Sequence, residues 1–334
     1  NAMDYYRREL YFEVEYYKYL QFKFDQQWRA LKAYANEKGI RIIGDIPIYV
    51  ALDSADAWAN PQMFQLDEDN IPTAVAGVPP DGFSPTGQLW GNPLYRWEKH
   101  RETGYQWWIT RLWYCFERYD VVRIDHFRGF DEYFSIPYGS ETAAPGHWEK
   151  GPGIDLFRKV EQALGWKQVI AEDLGYVTDS VRQLVHDSGF PGMKVLEFAF
   201  DSRDSGCAND YLPHNYPENS VAYTGTHDNE TIAGWWKSIT VKERKLARDY
   251  LCDNWTPDKD LYKCFISLVM RSSAKLCVIP MQDYMGLDNS CRMNQPSTVG
   301  KNWKWRIRRR ELTAKLQKEI HGIALRYGRM NWSD

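Results

Sequence analysis

The stretch VVRIDHFRG, residues 121–129, predicts a short buried strand that ends in charged side chains. Its β-branched, apolar residues suit a strand that is covered on both faces. Because side chains alternate along a strand, Arg123 and Asp125 project from the same face. A cation and a carboxylate in an apolar strand are costly to bury unless they contact each other or a ligand. We therefore expect Arg123 to hold Asp125 ionised and to lower its pKa.

Two interpretations of this strand end remain open. An ionised carboxylate fixed at the end of a strand can act as a nucleophile. A purely structural ion pair would have the same sequence, because structural pairs also perturb pKa values.

Composition narrows the classes of function. The chain has 334 residues, of which 43% are hydrophobic, so one large domain or two ordinary ones can form a core. A net charge of -3 gives no electrostatic reason to expect nucleic acid or an anionic membrane as a partner. No apolar run approaches about 18 residues, so we expect no membrane span. The six cysteines lack CxxC and zinc spacing, which favours a reduced, cytoplasmic protein.

Aromatic residues make up 15% of the chain, with 15 tryptophans and 22 tyrosines. Flat aromatic faces bind the apolar faces of pyranose rings in sugar-binding proteins. The same residues also fill large cores, and composition alone favours the core.

Hydrophobic periodicity predicts helices alternating with short strands. Helices are predicted over 4–38, 97–119, 154–164, 178–187, 230–237, 241–252, 258–273 and 307–327. Strands are predicted over 41–50, within 121–129, and over 168–175, 193–201, 220–230 and 276–283. Residues 51–95 and 129–153 are predicted as loops. The first contains Phe83, Leu89 and Trp90, which need a surface to pack on, so we interpret it as a lid or rim over a site.

Six strands alternating with helices predict a parallel sheet with right-handed crossovers. Four of these strands carry carboxylates near their C-terminal ends. A (β/α)₈ TIM barrel brings many strand ends into one mouth, whereas an open doubly wound sheet binds at one switch point. The acids therefore favour an α/β fold of the barrel type, although two strands are missing from the count.

Three carboxylates, Asp125, Glu172 and Asp228, are the candidate catalytic groups. The sequence contains neither a GxSxG elbow nor a P-loop, and His227 with Asp228 lacks the spacing of a metal site. Carboxylates with aromatic neighbours suggest glycosidic bond chemistry, which needs a nucleophile and a proton donor. Asp125 suits the nucleophile and Glu172, after an apolar run, suits the acid/base. The roles of Asp125 and Asp228 are interchangeable on this reasoning.

Together these segments resemble glycoside hydrolase family 77, the 4-α-glucanotransferases or amylomaltases. The matching pieces occur in the family's order: GDIPIYV at 44–50, the loop at 81–95, RIDHFRG at 123–129, AEDLG at 171–175, THDN at 226–229 and RMNQP at 292–296. The resemblance runs from about residue 10 to the C-terminus. It implies an α-amylase-like barrel and a retaining mechanism, with no metal or organic cofactor.

The resemblance also implies roles for individual residues. Asp125 matches the nucleophile, Glu172 the general acid/base and Asp228 the transition-state stabiliser. The implied substrate-binding residues are Arg123, His227, Trp90, Asn92, Tyr49, Phe198 and Asp201. The implied reaction transfers α-1,4-glucan segments between maltooligosaccharides or to glucose as acceptor. An α-amylase-type hydrolase and an inactive glucan-binding fragment are the alternatives.

The N-terminus departs from the family pattern. Residues 1–3 are interpreted as the remnant of a tag, and residues 4–334 as a catalytic barrel that lacks its first strands, with a substrate-covering insertion at 51–95. A barrel without two strands exposes two edges. We therefore expect self-association through these edges.

Overall fold

The structure is a computed structural model that describes residues 2–80, 84–175, 177–202 and 207–330. The predicted tag residue Asn1 and loop residue Phe83 lie outside the described residues. The chain forms two compact units, Asn1–Phe190 and Pro191–Asp334. No helix in the described ranges combines the length and the apolar character needed to cross a membrane.

The first unit contains seven helices and seven strands among its described residues. The helices are α1 Ala2–Glu9, α2 Tyr11–Glu37, α3 Ala55–Ala59, α4 Trp97–Glu102, α5 Gln106–Arg118, α6 Ile154–Leu164 and α7 Asp179–Ser188. The strands are β1 Ile43–Pro47, β2 Ala74–Val78, β3 Gln88–Pro93, β4 Val121–Asp125, β5 Glu132–Pro137, β6 His147–Lys150 and β7 Val169–Ala171.

Three parallel strands, in the order β1-β4-β7, form the first sheet of this unit. In β4, Val121 to Ile124 are all buried, as the apolar run predicts. The register pairs Asp45 with Arg123 and Ile124 with Ala171. The predicted parallel arrangement of these strands is confirmed.

A second, antiparallel sheet has the order β3-β2-β5-β6. Its strands occupy the segments 51–95 and 129–153, so the prediction of structureless loops there was wrong. The predicted 51–95 connection also contains α3. Glycine and proline are frequent in these segments, so the local sequence predicted loops. The strands are stabilised by hydrogen bonds to neighbouring strands rather than by local propensity.

Helix α2 contacts the end of α5 and the residue before β4 through hydrogen bonds. Trp28 Nε1 donates to Arg118 O at 2.9 Å, and Asn36 Nδ2 donates to Asp120 Oδ2 at 2.9 Å. Asp120 Oδ2 also accepts from Ile42 N at 2.7 Å, directly before β1. One carboxylate thus links the end of α2, the start of β1 and the start of β4.

Aromatic side chains form the core beside β4. The Phe130 ring lies 5.2 Å from that of Trp108 and 5.0 Å from that of Phe157. Phe130 and Trp108 are completely buried. Much of the high aromatic content therefore fills the core, as composition alone favours.

The second unit contains helices α8 Ile232–Ser238, α9 Val241–Leu251, α10 Tyr262–Met270, α11 Met281–Tyr284 and α12 Ala314–Arg326. Its described strands are β8 Gly192–Val195, β9 Ser220–Tyr223 and β10 Leu276–Val278. The three strands are parallel, with β9 between β8 and β10.

Several predicted boundaries in the second unit were wrong. The strand predicted over 193–201 ends at Val195, and Leu196–Phe200 forms a 3₁₀ helix. The strand predicted over 276–283 ends at Val278, because Pro280 caps α11. The terminal helix begins at Ala314, where Thr313 caps its N-terminus, and not at residue 307.

We predict that Phe130→Ala lowers the free energy of unfolding by about 3–5 kcal/mol, because truncating a buried aromatic ring loses its contacts and leaves a cavity. Phe12→Ala is the matched control: Phe12 is 83% exposed, so its substitution should change stability by less than about 0.5 kcal/mol. Urea unfolding followed by circular dichroism measures both. Equal effects of the two substitutions would contradict the assigned core.

Candidate active site

Arg123 organises the strand ends of the first unit. Its Nη1 lies 2.7 and 2.8 Å from the two carboxylate oxygens of Asp45 and 2.9 Å from Asp125 Oδ1. The Arg123 side chain is 10% exposed, whereas that of Asp125 is 44% exposed. The predicted contact between Arg123 and Asp125 is confirmed, and Asp125 stays accessible to a ligand. The lowered pKa of Asp125 stays a prediction.

Backbone pairing places Glu172 beside Asp125. Ala171 is in register with Ile124, so the next residues along the two parallel strands are Glu172 and Asp125. The pairing continues past the strands, because Glu172 N donates to Ile124 O at 3.1 Å and Phe127 N donates to Glu172 O at 3.0 Å. The sheet therefore positions both acids.

The Glu172 carboxylate is half-buried and accepts two backbone hydrogen bonds. Its Oε2 accepts from His126 N at 2.6 Å and its Oε1 from Leu174 N at 2.9 Å. Burial, and after it the charge of Asp125, raise the pKa of Glu172 to about 7, against the lowering effect of Arg123 and the two amides. The predicted direction of this pKa shift is confirmed.

His126 belongs to the site, although no role was predicted for it from the sequence. It adopts the left-handed conformation, with φ 52° and ψ 50°, which aims its backbone N–H at Glu172. Burial of the ring, with the charge of Arg128, lowers the pKa of His126 to about 3. Within the described ranges its buried Nε2 has no hydrogen-bond partner. The imidazole is thus neutral, and no sequence pattern indicated its backbone conformation.

Aromatic rings surround His126. The Trp90 ring lies edge-on at 4.9 Å and the Tyr49 ring at 6.5 Å. Tyr49 is buried, which raises its pKa, while Trp90 is partly exposed. Asn92 Nδ2 donates to Val50 O at 2.9 Å, so this side chain ties β3 to the segment after β1. Substrate binding by Tyr49, Trp90 and Asn92 stays a prediction.

Asp228 lies in the second unit, in the segment after β9. Asn294 Nδ2 donates to Asp228 Oδ1 at 2.6 Å, and Arg292 Nη2 donates to the Asp228 carbonyl at 2.6 Å. His227 Nε2 lies 3.4 Å from Asp228 Oδ2. Residues 292–296 match a family motif, but no role was predicted for Arg292 or Asn294. The two hydrogen bonds show that both residues hold Asp228.

Phe198 and Asp201 also belong to the second unit. The Phe198 ring packs edge-on against Tyr211 at 5.3 Å. Asp201 follows the 3₁₀ helix Leu196–Phe200 and is partly buried. Their predicted contacts with substrate stay predictions.

In the first unit, this arrangement can provide both a nucleophile and a proton donor. Asp125 is accessible and held by a guanidinium, which favours the carboxylate. Glu172 has a pKa near neutrality, so it can donate and then accept a proton. Within the described ranges, no group of three or more His, Cys, Asp or Glu side chains could hold a metal ion.

Comparisons with known proteins agree with this geometry. The sequence profile of glycoside hydrolase family 77, described as 4-alpha-glucanotransferase, matches residues 1–313. The chain is 47% identical to the 4-alpha-glucanotransferase of Streptococcus pneumoniae, over 99% of this chain and 65% of that protein. The chain therefore spans just under two thirds of this relative's length.

Solved structures show the same fold. The amylomaltase from Streptococcus agalactiae in complex with acarbose is 42% identical, with a TM-score of 0.94 over 99% of this chain and 66% of that one. An α-amylase from Geobacillus thermoleovorans is 13% identical, with a TM-score of 0.53 over 92% of this chain and 61% of that one, and shows the fold alone. The predicted α/β fold of the α-amylase-like barrel type is confirmed.

We predict that Asp125→Asn lowers the pKa of Glu172 below about 7, because the substitution removes a negative charge that disfavours ionisation of Glu172. NMR titration of carboxyl-labelled glutamate measures this pKa. Asp155→Asn, at a side chain of α6 that is 64% exposed, is the control and should leave the pKa of Glu172 unchanged. An unchanged pKa of Glu172 in Asp125→Asn would refute the proposed coupling of the two acids.

Proposed function

This chain belongs to the 4-alpha-glucanotransferase family, glycoside hydrolase family 77, and we propose that the protein transfers α-1,4-glucan segments between maltooligosaccharides or to glucose. The observation that carries the proposal is the pairing of Asp125, held by Arg123, with Glu172 on the adjacent parallel strand. Different environments of two neighbouring carboxyl groups are the basis of acid/base assignments in glycosidases.

Asp125 is the proposed nucleophile and Glu172 the proposed acid/base. In the first step Glu172 protonates the leaving glycosidic oxygen while Asp125 attacks the anomeric carbon and forms a glycosyl–enzyme bond. In the second step Glu172 removes a proton from the acceptor hydroxyl, which attacks the same carbon and releases Asp125. Two inversions give net retention.

Asp228 is the proposed stabiliser of the oxocarbenium-like transition state. Its contact with Asn294 fixes the orientation of the carboxylate, and the contact of Arg292 with its carbonyl fixes the backbone. Arg123 is proposed to orient Asp125, and His227 to bind a sugar hydroxyl. Family membership and these contacts together support the three assignments.

The segment 51–95 is proposed to cover bound glucan, within a single catalytic domain that spans residues 4–334. Trp90 is partly exposed beside His126, which suits stacking on a sugar ring, and Tyr49 supports the same cluster. Asn92, Phe198 and Asp201 are the other proposed substrate contacts. A cover that excludes water would favour a sugar hydroxyl over water as acceptor.

Other parts of the proposal concern the protein as a whole. The chemistry uses no metal or organic cofactor. The described cysteines whose side chains are placed are free thiols, which supports a reducing, cytoplasmic location that cell fractionation would test. Strand β1 pairs with β4 alone among the described strands of its unit, and we propose that this edge supports self-association, which sedimentation would test.

We predict that the protein converts maltotriose into glucose and a ladder of longer maltooligosaccharides, measured by separating the products by length. Asp125→Asn and Glu172→Gln should each lower the rate by about 10³-fold or more, because each removes a group that acts on the reacting bond. Asp155→Asn is the control and should keep the full rate. Release of reducing ends without longer products would indicate hydrolysis instead, and binding without reaction would indicate a glucan-binding protein.

We predict that kcat/KM for maltotriose falls as pH rises through about 7, because the first step needs protonated Glu172 and its pKa is about 7. Above this pKa the protonated fraction drops about tenfold per pH unit. Initial rates between about pH 5 and 9 measure the profile, and circular dichroism over the same range checks that the fold persists. A flat profile between about pH 6 and 9 would exclude Glu172 as the acid.

A further inference from the structure

The loop that carries His227 and Asp228 connects β9 to α8 and is closed by its own side chains. Thr226 donates to Asn229 Oδ1 through its backbone N at 2.9 Å and its hydroxyl at 2.8 Å. Asp228 N in turn donates to Thr226 Oγ1 at 3.2 Å. The backbone position of Asp228 therefore depends on where the Asn229 side chain is held.

Asp283 fastens both ends of this loop. It is completely buried and accepts hydrogen bonds from Thr224 Oγ1 at 2.5 Å, at the start of the loop, and from Ile232 N at 2.8 Å, at its end. These contacts close the loop but reach neither Asn229 nor Asp228.

Glu197 contacts the middle of the loop. It is 7% exposed, and its backbone N donates to Thr224 O at 3.3 Å. Its carboxyl group lies beside the Asn229 side chain, because Glu197 Oε1 and Asn229 Cβ lie within 2.8 and 3.0 Å of the position that a Cβ on Gly225 would take. A Cβ atom at position 225 would lie 2.8 Å from Glu197 Oε1, so only glycine leaves room for the carboxyl group there. The side chain of Glu197 is thus packed against the loop at Gly225.

The groups around Glu197 favour its neutral form. Burial, followed by the negative charges of Asp283 and Glu230, raises the pKa of Glu197 well above its usual value, against the lowering effects of Arg292 and Asn229. Burial also raises the pKa of Asp283 to about 6. The Glu197 Oε1 atom is buried without a hydrogen-bond partner in the described part of the chain, an environment that a carboxylate does not tolerate.

We infer that Glu197, in its protonated form, is a positioning residue for Asp228 that acts through Asn229 and Thr226. This inference rests on the proposed role of Asp228 in transition-state stabilisation. Glu197 itself does not contact the reacting atoms. Glu197 holds the Asn229 side chain in place. Asn229 Oδ1 accepts hydrogen bonds from Thr226, and the Thr226 hydroxyl accepts a hydrogen bond from the backbone N–H of Asp228.

The test compares Glu197→Gln, which keeps a neutral polar group of the same shape, with Glu197→Ala, which removes it. Glu243→Gln is the matched control, because Glu243 is also 7% exposed in the same unit but contacts Ser202 and Thr240. Hydrogen exchange of the peptide covering 221–232, at about pH 7, reports the loop without requiring activity. We expect faster exchange in Glu197→Ala, and exchange as in the parent protein in Glu197→Gln and Glu243→Gln.

Kinetics provide a second measurement. Glu197→Ala should lower kcat by about tenfold or more with KM within about twofold, since an interaction made mainly in the transition state is lost, whereas Glu197→Gln should stay within about threefold of the parent. Asn229→Ala should reproduce the effect of Glu197→Ala. The kcat of the double variant should be no lower than that of either single variant, because both substitutions interrupt the same series of contacts from Glu197 to Asp228.

Thermal unfolding against pH tests the protonation state. A raised pKa in the folded protein means that the stabilisation is complete below the unfolded-state pKa, about 4.3, and is lost as pH rises through the raised value. Glutamine does not titrate, so the Tm of Glu197→Gln relative to the parent should increase with pH over this window. Glu243→Gln should show no such increase, because the backbone amides and hydroxyls around Glu243 lower its pKa.

The outcomes are distinguishable. Exchange that is as fast in Glu197→Gln as in Glu197→Ala, or unchanged in both, would overturn the inference. If the protein transfers no glucan but shows the expected exchange pattern, the proposed function is disproved, whereas the positioning of the Asp228 loop by Glu197 is supported. Normal transfer activity in Glu197→Ala with unchanged exchange would leave the proposed function intact and remove Glu197 from it.

Discussion

The ion pairs of Arg123 with Asp45 and Asp125 are the constraint on which the candidate site depends. The Arg123 guanidinium loses most of its hydration in a strand of buried residues. Asp45 on the adjacent strand β1 and Asp125 on the same strand β4 compensate for that loss. The same contacts hold β1 and β4 in register, because Asp45 and Arg123 are paired positions. Stability of the sheet and orientation of Asp125 therefore have one physical origin, and removing Asp45 or Asp125 would leave the buried guanidinium with one ion-pair partner fewer.

Three carboxyl groups of the chain show how environment sets chemical behaviour. Asp125 is accessible and lies against a guanidinium. Glu172 is half-buried, with a nearby negative charge and two amide donors, which together bring its pKa to about 7. Glu197 is buried among other acids and favours its neutral form. Identical functional groups thus suit a nucleophile, an acid/base and a structural hydrogen-bonding group, according to desolvation and neighbouring charge.

Local sequence predicted the parallel strands better than the antiparallel ones. Strand β4 is a continuous apolar run, and its burial on both faces leaves a clear signal. Strands β2, β3, β5 and β6 have mixed composition with glycine and proline, and their stability comes from partners distant in the chain. Sequence windows contain no information about such partners. The same reason explains why the strand predicted over 276–283 is only three residues long, with the last three residues of the segment in α11.

The sequence by itself determined the fold class, the identity of the acids at the strand ends and the contact between Arg123 and Asp125, because strand periodicity places alternate residues on one face. It also determined that the pKa of Glu172 is raised, since the apolar run before Glu172 implies burial of its side chain. Only the tertiary structure decided that Glu172 is adjacent to Asp125, that the left-handed backbone of His126 supplies a donor to Glu172, and that Asn294 and Arg292 hold Asp228. These contacts join residues separated by tens of positions, and their geometry is set by strand register and backbone conformation rather than by local sequence.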